Sequence, residues 1–252
     1  MRRALGDFQT SLGRIRALAD EIKAKTIDAL ADSRVLALHE TQQCAAVVLL
    51  AGYFEAFLKD LVREYVDQLS LSGLSFFDLP LDIQNRHFEG GGQVLTRASF
   101  AARKGRTTPF GGATREDIAA RLQSPFAGTG SYRVVWEAFA DTKANPSPDV
   151  VKEIGKSLGL KEFWPSIAKG SGNSVRWSQS ALTKKLQDLI DKRNESAHTG
   201  RVSPIPTAAD LLDFTEMLEA LGTGFVVTLE TELQEHKAKL AARTTASSAS
   251  PP

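Results

Sequence analysis

The sequence predicts an all-α fold, and three observations carry that prediction. Apolar residues recur at intervals of three and four along four long stretches, the spacing of a helix that buries one side. No run alternates apolar and polar residues long enough to demand a sheet. The middle of the chain is cut by glycine and proline into pieces that suit only short helices. The expected architecture is a four-helix bundle with long helices at about 4–31, 35–69, 178–198 and 208–239. An insertion of short helices and loops, about 70–175, separates the second long helix from the third. Residues 1–240 read as a single domain, and the small, polar residues 241–252 as a disordered tail.

The first helix rests on Phe8, Leu12, Ile15, Leu18 and Ile22. A break near Asp32 follows, with Ser33 as the expected N-cap of the second helix. There Val47, Ala51, Phe54, Phe57, Leu58, Leu61, Tyr65 and Leu69 sustain one stripe for about six turns. Within the insertion, Gly90-Gly91-Gly92 and Gly111-Gly112 are expected to break the chain. Short helices fit at 115–123 after a Thr114 cap, at 132–141, and at 149–158 after Ser147-Pro148, ending at Gly159. The scattered apolar content makes the insertion a poor candidate for an independent domain. Thr207 caps the last long helix, whose apolar side carries Leu211, Leu212, Phe214, Leu218, Leu221, Phe225, Leu229 and Leu233; Gly222 and Gly224 are places where it can loosen or bend.

Composition excludes several classes. Of 252 residues, 42% are hydrophobic and 24% charged, an ordinary globular mixture. MRRALGDFQT lacks the apolar core of a signal peptide, and the run Cys44–Phe54 is about half what a membrane span needs. A cytoplasmic protein is the simple reading. The single cysteine excludes an internal disulfide and a multi-cysteine metal site. His39, His87 and His236 are isolated, none at metal-ligand spacing from another, so no metal and no cofactor is expected. Net charge is +1, but its distribution is uneven. Arg97, Arg103, Lys104, Arg106 and Arg115 fall in a stretch without acids, a candidate RNA contact or plain solvated surface. Seven acids between Thr207 and Glu235 have no basic residue among them, which suggests separate positive and negative surfaces.

The candidate site lies where the third long helix ends. Its stripe of Leu182, Leu186, Leu189, Ile190 and Ala197 meets Arg193-Asn194-Glu195-Ser196-Ala197-His198 before Thr199-Gly200 stops the helix. At about 100° per residue, Arg193 falls roughly 60° to one side of Ile190 and His198 roughly 80° to the other. A guanidinium, an amide and an imidazole would then emerge on the face expected to be dry. Burying an arginine costs several kcal/mol unless it is paired. Glu55, on the shoulder of the second helix's stripe, is the obvious partner, with a rim carboxylate reaching water as the alternative. Arg193 paired with Asp188, Asp191 or Glu195 at a helix C-terminus, and His198 as a capping side chain, is the purely structural alternative.

An Arg, four residues, then His, with Asn directly after the Arg, resembles the signature of the HEPN superfamily, all-α domains that include many ribonucleases of toxin–antitoxin and anti-phage systems. Ala51-Gly52-Tyr53-Phe54-Glu55-Ala56-Phe57-Leu58-Lys59-Asp60, and Asn145-Pro146-Ser147-Pro148-Asp149 followed by Val150–Trp164, resemble its RiboL-PSP-type branch. The resemblance implies a HEPN-like bundle that dimerises, so that two motifs face each other and form one composite RNA site. It implies cleavage to a 2′,3′-cyclic phosphate and a 5′-hydroxyl, and an antitoxin protein as a further partner. The residue types suit metal-independent attack by the ribose 2′-OH. His198 offers an imidazole, the side chain best suited to proton transfer, Arg193 can grip the phosphate bidentately, and Asn194 can orient either. Toxins of this kind silenced by nucleotidylation carry a Tyr two residues after the His; here that position is Gly200, so no such control is expected. A non-catalytic HEPN-like module that binds RNA, a nucleotide or a protein is the alternative. A DNA-binding regulator fits less well, since no basic recognition helix can be picked out.

Overall fold

The computed structural model describes residues 1–26, 32–106, 112–128, 131–142, 145–172 and 175–248. These form α1 (Arg2–Ala24), α2 (Ser33–Ser70), α3 (Leu81–Asn85), α4 (Gly91–Arg103), α5 (Arg115–Gln123), α6 (Pro148–Ser157), α7 (Phe163–Gly170), α8 (Gln179–Thr199) and α9 (Ala208–Ser248). Single helical turns join some of them, and no strand occurs among the described residues. The all-α expectation is met. Two compact units divide the chain. One comprises Met1–Leu58, Thr142–Lys152 and Trp164–Thr228; the other comprises Lys59–Asp141, Glu153–Phe163 and Leu229–Pro252.

The first unit is built on four long amphipathic stretches, α1, α8 and parts of α2 and α9. Phe8, Leu12, Ile15 and Ile22 of α1 are buried, as are Val47, Leu50, Ala51, Phe54 and Phe57 of α2. The Phe8 ring stacks on Phe57 at 4.5 Å and lies 6.1 Å from Phe54. Gly222 of α9 keeps this aromatic contact open, since a Cβ there would stand 3.3 Å from Phe8. Gly224 likewise lets α9 approach α7, and a Cβ on it would lie 2.3 Å from the Ile167 carbonyl oxygen. Both glycines serve helix-to-helix packing. Caps are local and well formed. The Ser178 side chain accepts from Ala181 N–H, Gly200 closes α8 at φ 71°, and Thr207 and Asp210 make a reciprocal box at the start of α9. At the start of α2 the cap is Asp32, whose carboxylate accepts from Arg34 N–H, and not Ser33. His39 is buried with Nε2 2.8 Å from the Ile22 carbonyl, a satisfied core histidine.

The second unit owes its core to residues the sequence left scattered. Phe76, Ile83, His87, Val94, Ala98, Ile118 and Val135 are buried. The Phe76 ring meets His87 at 4.9 Å and Tyr132 at 5.4 Å, and Tyr132 Oη donates to the Leu69 carbonyl at 3.1 Å. The expected break at Gly90-Gly91-Gly92 is a correction: Arg86–Gly90 is a π-helical turn that runs directly into α4. The reason is steric. A Cβ on Gly91 would meet Leu122 at 2.8 Å, and one on Gly90 would meet Ala138 at 3.0 Å. Here glycine buys closeness within a helix instead of ending one. Of the helix expected over 132–141, only the turn Trp136–Ala138 forms. It carries Glu137, which is 1% exposed at its side chain and takes two hydrogen bonds from Arg121, at 2.8 and 2.9 Å.

Two expected ends move. Helix α1 is described to Ala24, and the expected 27–31 lie outside the described residues. Helix α9 continues to Ser248, through most of the expected tail, with Ala241 and Ala242 as strong helix formers; 249–252 lie outside the described residues.

Candidate functional site

Helix α8 supplies the motif, and its register decides what each residue faces. Leu182, Leu186, Leu189, Ile190 and Ser196 are buried. The stripe therefore continues from Leu189 through Arg193 to Ser196, a repeat of four and three, and Ala197 is exposed. Ser196 keeps its place in the core by donating Oγ–H to the Cys44 carbonyl of α2 at 3.2 Å. This corrects the expectation that Arg193 and His198 flank one dry face. Ile190 is the margin of the stripe, not its middle. Measured from Leu189, Arg193 is displaced by about 40° and His198 by about 180°. Arg193 and Asn194 are accordingly partly buried and His198 is exposed.

Arg193 Nη1 donates to Asn194 Oδ1 at 3.1 Å. The same oxygen accepts from Asn145 Nδ2 at 3.3 Å. Among the described residues no ion pair involves Arg193, so neither Glu55 nor the nearby acids Asp188, Asp191 and Glu195 neutralises it. Asp188 pairs with Lys192, Asp191 accepts from Gln187, and Glu195 accepts from Ser203 N–H. Glu55 is partly buried and accepts from Thr142 Oγ1 at 2.8 Å. Arg193 and His198 do not meet, being about 140° apart around the helix and about 7.5 Å apart along it.

The basic stretch belongs to the second unit. Arg97 is held by Asp141 at 3.0 Å, while Arg103, Lys104 and Arg106 are exposed, with Lys104 Nζ 4.5 Å above the Phe100 ring. Three of the seven acids expected on a negative surface are matched by cations distant in sequence. Glu219 is held by Arg16, Asp213 by Arg176 and Lys185, and Glu216 by Arg176. Against the burial that opposes its ionisation, hydrogen bonds from Lys185 and Arg176 keep the Asp213 carboxyl below its usual range. These partners lie far off in sequence, so a local count of charge could not reveal them. A cavity of about 570 Å³ at the start of α8 is lined by Arg176, Trp177, Lys184, Lys185 and Asp213 among others; the motif residues do not line it.

Sequence reasoning missed Asn145 and Ser196. For Ser196 the signal was there, seven residues after Leu189. Asn145 stood in a stretch that resembles the family, but its contact with Asn194 could not be read because that partner lies 49 residues away. No cluster of three or more His, Cys, Asp or Glu side chains arranged for a metal ion occurs among the described residues, and no described helix is long and apolar enough to cross a membrane.

A family model described as RiboL-PSP-HEPN matches residues 13–231, and thus α8 with its motif and most of both units. Comparison with curated proteins and with solved structures returns no match.

Proposed function

We propose a function from the premise that the chain belongs to the RiboL-PSP-HEPN family: it is a metal-independent endoribonuclease of toxin–antitoxin or anti-phage type. The observation that carries this reading is an arginine at the end of α8, partly buried and without an ion pair among the described residues, in the motif Arg193-Asn194-xxx-His198. Such a cation is kept from carboxylates and is free to take an anion, and a planar guanidinium fits a phosphodiester. In the proposed step a base removes the 2′-OH proton, and the oxygen attacks the adjacent phosphorus. The bond to the 5′-oxygen breaks, and an acid protonates that oxygen. Arg193 stabilises charge on the phosphoryl oxygens. His198 supplies a proton-transfer group, and Asn194 fixes the guanidinium.

One copy does not bring Arg193 and His198 to one point, so the reading requires a homodimer in which the motifs of two copies form a composite site. The products would carry 2′,3′-cyclic phosphate and 5′-hydroxyl ends. The test is purified protein with RNA and EDTA, beside His198→Ala. Cleavage that persists in EDTA and vanishes in the variant supports the reading. Cleavage lost in EDTA, or retained by the variant, ends it.

The wide splay of Arg193 and His198 also favours a second reading, a non-catalytic module that holds RNA, a nucleotide or a protein partner. It is supported if no RNA is cleaved and a bound ligand survives His198→Ala.

A further inference from the structure

We propose that Asn145 is a positioning residue for the Arg193 guanidinium, acting through the amide of Asn194. The proposal deepens the reading of Arg193 as the phosphate-binding cation and rests on it. A guanidinium can only donate hydrogen bonds. The Asn194 atom 3.1 Å from Arg193 Nη1 must therefore be its oxygen, and that oxygen also takes Asn145 Nδ2 at 3.3 Å. Turning Asn194 over would set an amino group against the guanidinium. Turning Asn145 over would set two carbonyl oxygens against each other. With Arg193 in place, only one arrangement of the two amides has every contact attractive.

In that arrangement Asn145 Oδ1 is buried and has no hydrogen-bond partner among the described residues. A buried acceptor without a donor costs free energy, and turning Asn145 over would only set its amino group in that same place. The contact with Arg193, not that atom, therefore decides which way the two amides face. The backbone holds Asn145 for this task. Its N–H donates to the Thr142 carbonyl at 2.9 Å, and its carbonyl accepts from Ser147 N–H at 2.8 Å. Thr142 in turn donates its hydroxyl to Glu55. Pro146 and Pro148 flank the segment with fixed φ. Glu55 therefore supports the site at one remove, through Thr142.

The test uses Asn145→Ala and Asn145→Asp in the full chain, with thermal melting to show that each folds. Asn145→Ala is expected to lower kcat for RNA cleavage by about 10-fold or more with KM within about twofold, the pattern of a misaimed cation. Aspartate donates nothing to Asn194 Oδ1 while ionised, but its protonated form donates an O–H. The ratio of Asn145→Asp to wild-type activity should therefore rise several-fold as pH falls from about 7 towards the carboxyl range near 4. An unchanged kcat in Asn145→Ala, or a ratio that stays flat with pH, overturns the proposal. If wild-type protein cleaves no RNA, the ribonuclease reading fails by itself. The positioning role is then read by NMR of the Arg193 guanidinium: hindered rotation lost in Asn145→Ala supports it, and rotation equal in the two proteins overturns it.

Discussion

Replacing Gly224 by alanine sets two known effects against each other at one atom. Alanine is favoured over glycine within a helix by about 1 kcal/mol. The new Cβ, however, would stand 2.3 Å from the Ile167 carbonyl oxygen and 3.0 Å from Ile167 Cγ2, where ordinary contact begins near 3.4 Å. The obstacle is backbone, which cannot rotate aside, so α7 and α9 must move apart by about 1 Å. Overpacking of this kind costs about 1–3 kcal/mol, and an overlap with main chain belongs at the top of that range. Net of the propensity gain, Gly224→Ala should lose about 2 kcal/mol, a fall in Tm of about 4–8 °C for a chain of this size. Gly52 is the matched control: it also lies inside a helix, but a Cβ on it meets nothing within 4 Å. Gly52→Ala should therefore gain up to about 1 kcal/mol. The assay is urea unfolding of the three proteins, with midpoints compared at constant m. If Gly224→Ala is as stable as wild type while Gly52→Ala is stabilised, the close approach of α7 and α9 is not as described.

Other outcomes follow from single sites. His198→Ala and Arg193→Ala should each lower RNA cleavage by about 10²-fold or more, measured on a labelled RNA, with melting unchanged for the exposed His198. Burial, partly offset by the Leu122 backbone, pushes the His87 pKa down to about 4. An unfolded His87 takes up its proton near 6.5, so stability is complete above that pH and is lost as pH falls from about 6.5 to 4. The loss is at most about 3 kcal/mol, and a pH series of denaturant midpoints should show it for wild type and not for His87→Phe. Arg121→Ala leaves Glu137 buried without its cation and should cost about 3–5 kcal/mol, whereas Arg121→Met with Glu137→Leu should be close to neutral by the same measurement.

What could be read in the sequence was what neighbouring residues settle between themselves. The caps at Thr114 and Thr207 and the stop at Gly200 need only a few residues, and each formed where the spacing placed it. The stripe of α2 was legible because its eight positions repeat without interruption. Several misreadings involve distant partners. Gly90 and Gly91 look like breakers until Leu122 and Ala138 are set against them. The acids of α9 look like a negative surface until Arg16, 203 residues away, reaches Glu219. His198 was assigned to the dry side because Ile190 was taken as the centre of a stripe that is centred on Leu189 and Ser196. Arg193 was recognisable as a cation on a core face, but Asn145, which orders it through Asn194, could not be seen without the fold.

The matched charges around α9 bear on how the first unit meets a polyanion. Asp213, Glu216 and Glu219 are tied to cations brought from α1, α8 and the turn before it. Neutralised in place, they project only the rapidly decaying field of paired charges instead of a repulsive wall. An RNA strand drifting along that flank would therefore feel neither attraction nor rejection, and capture would fall to whichever arginines have been left without an anion.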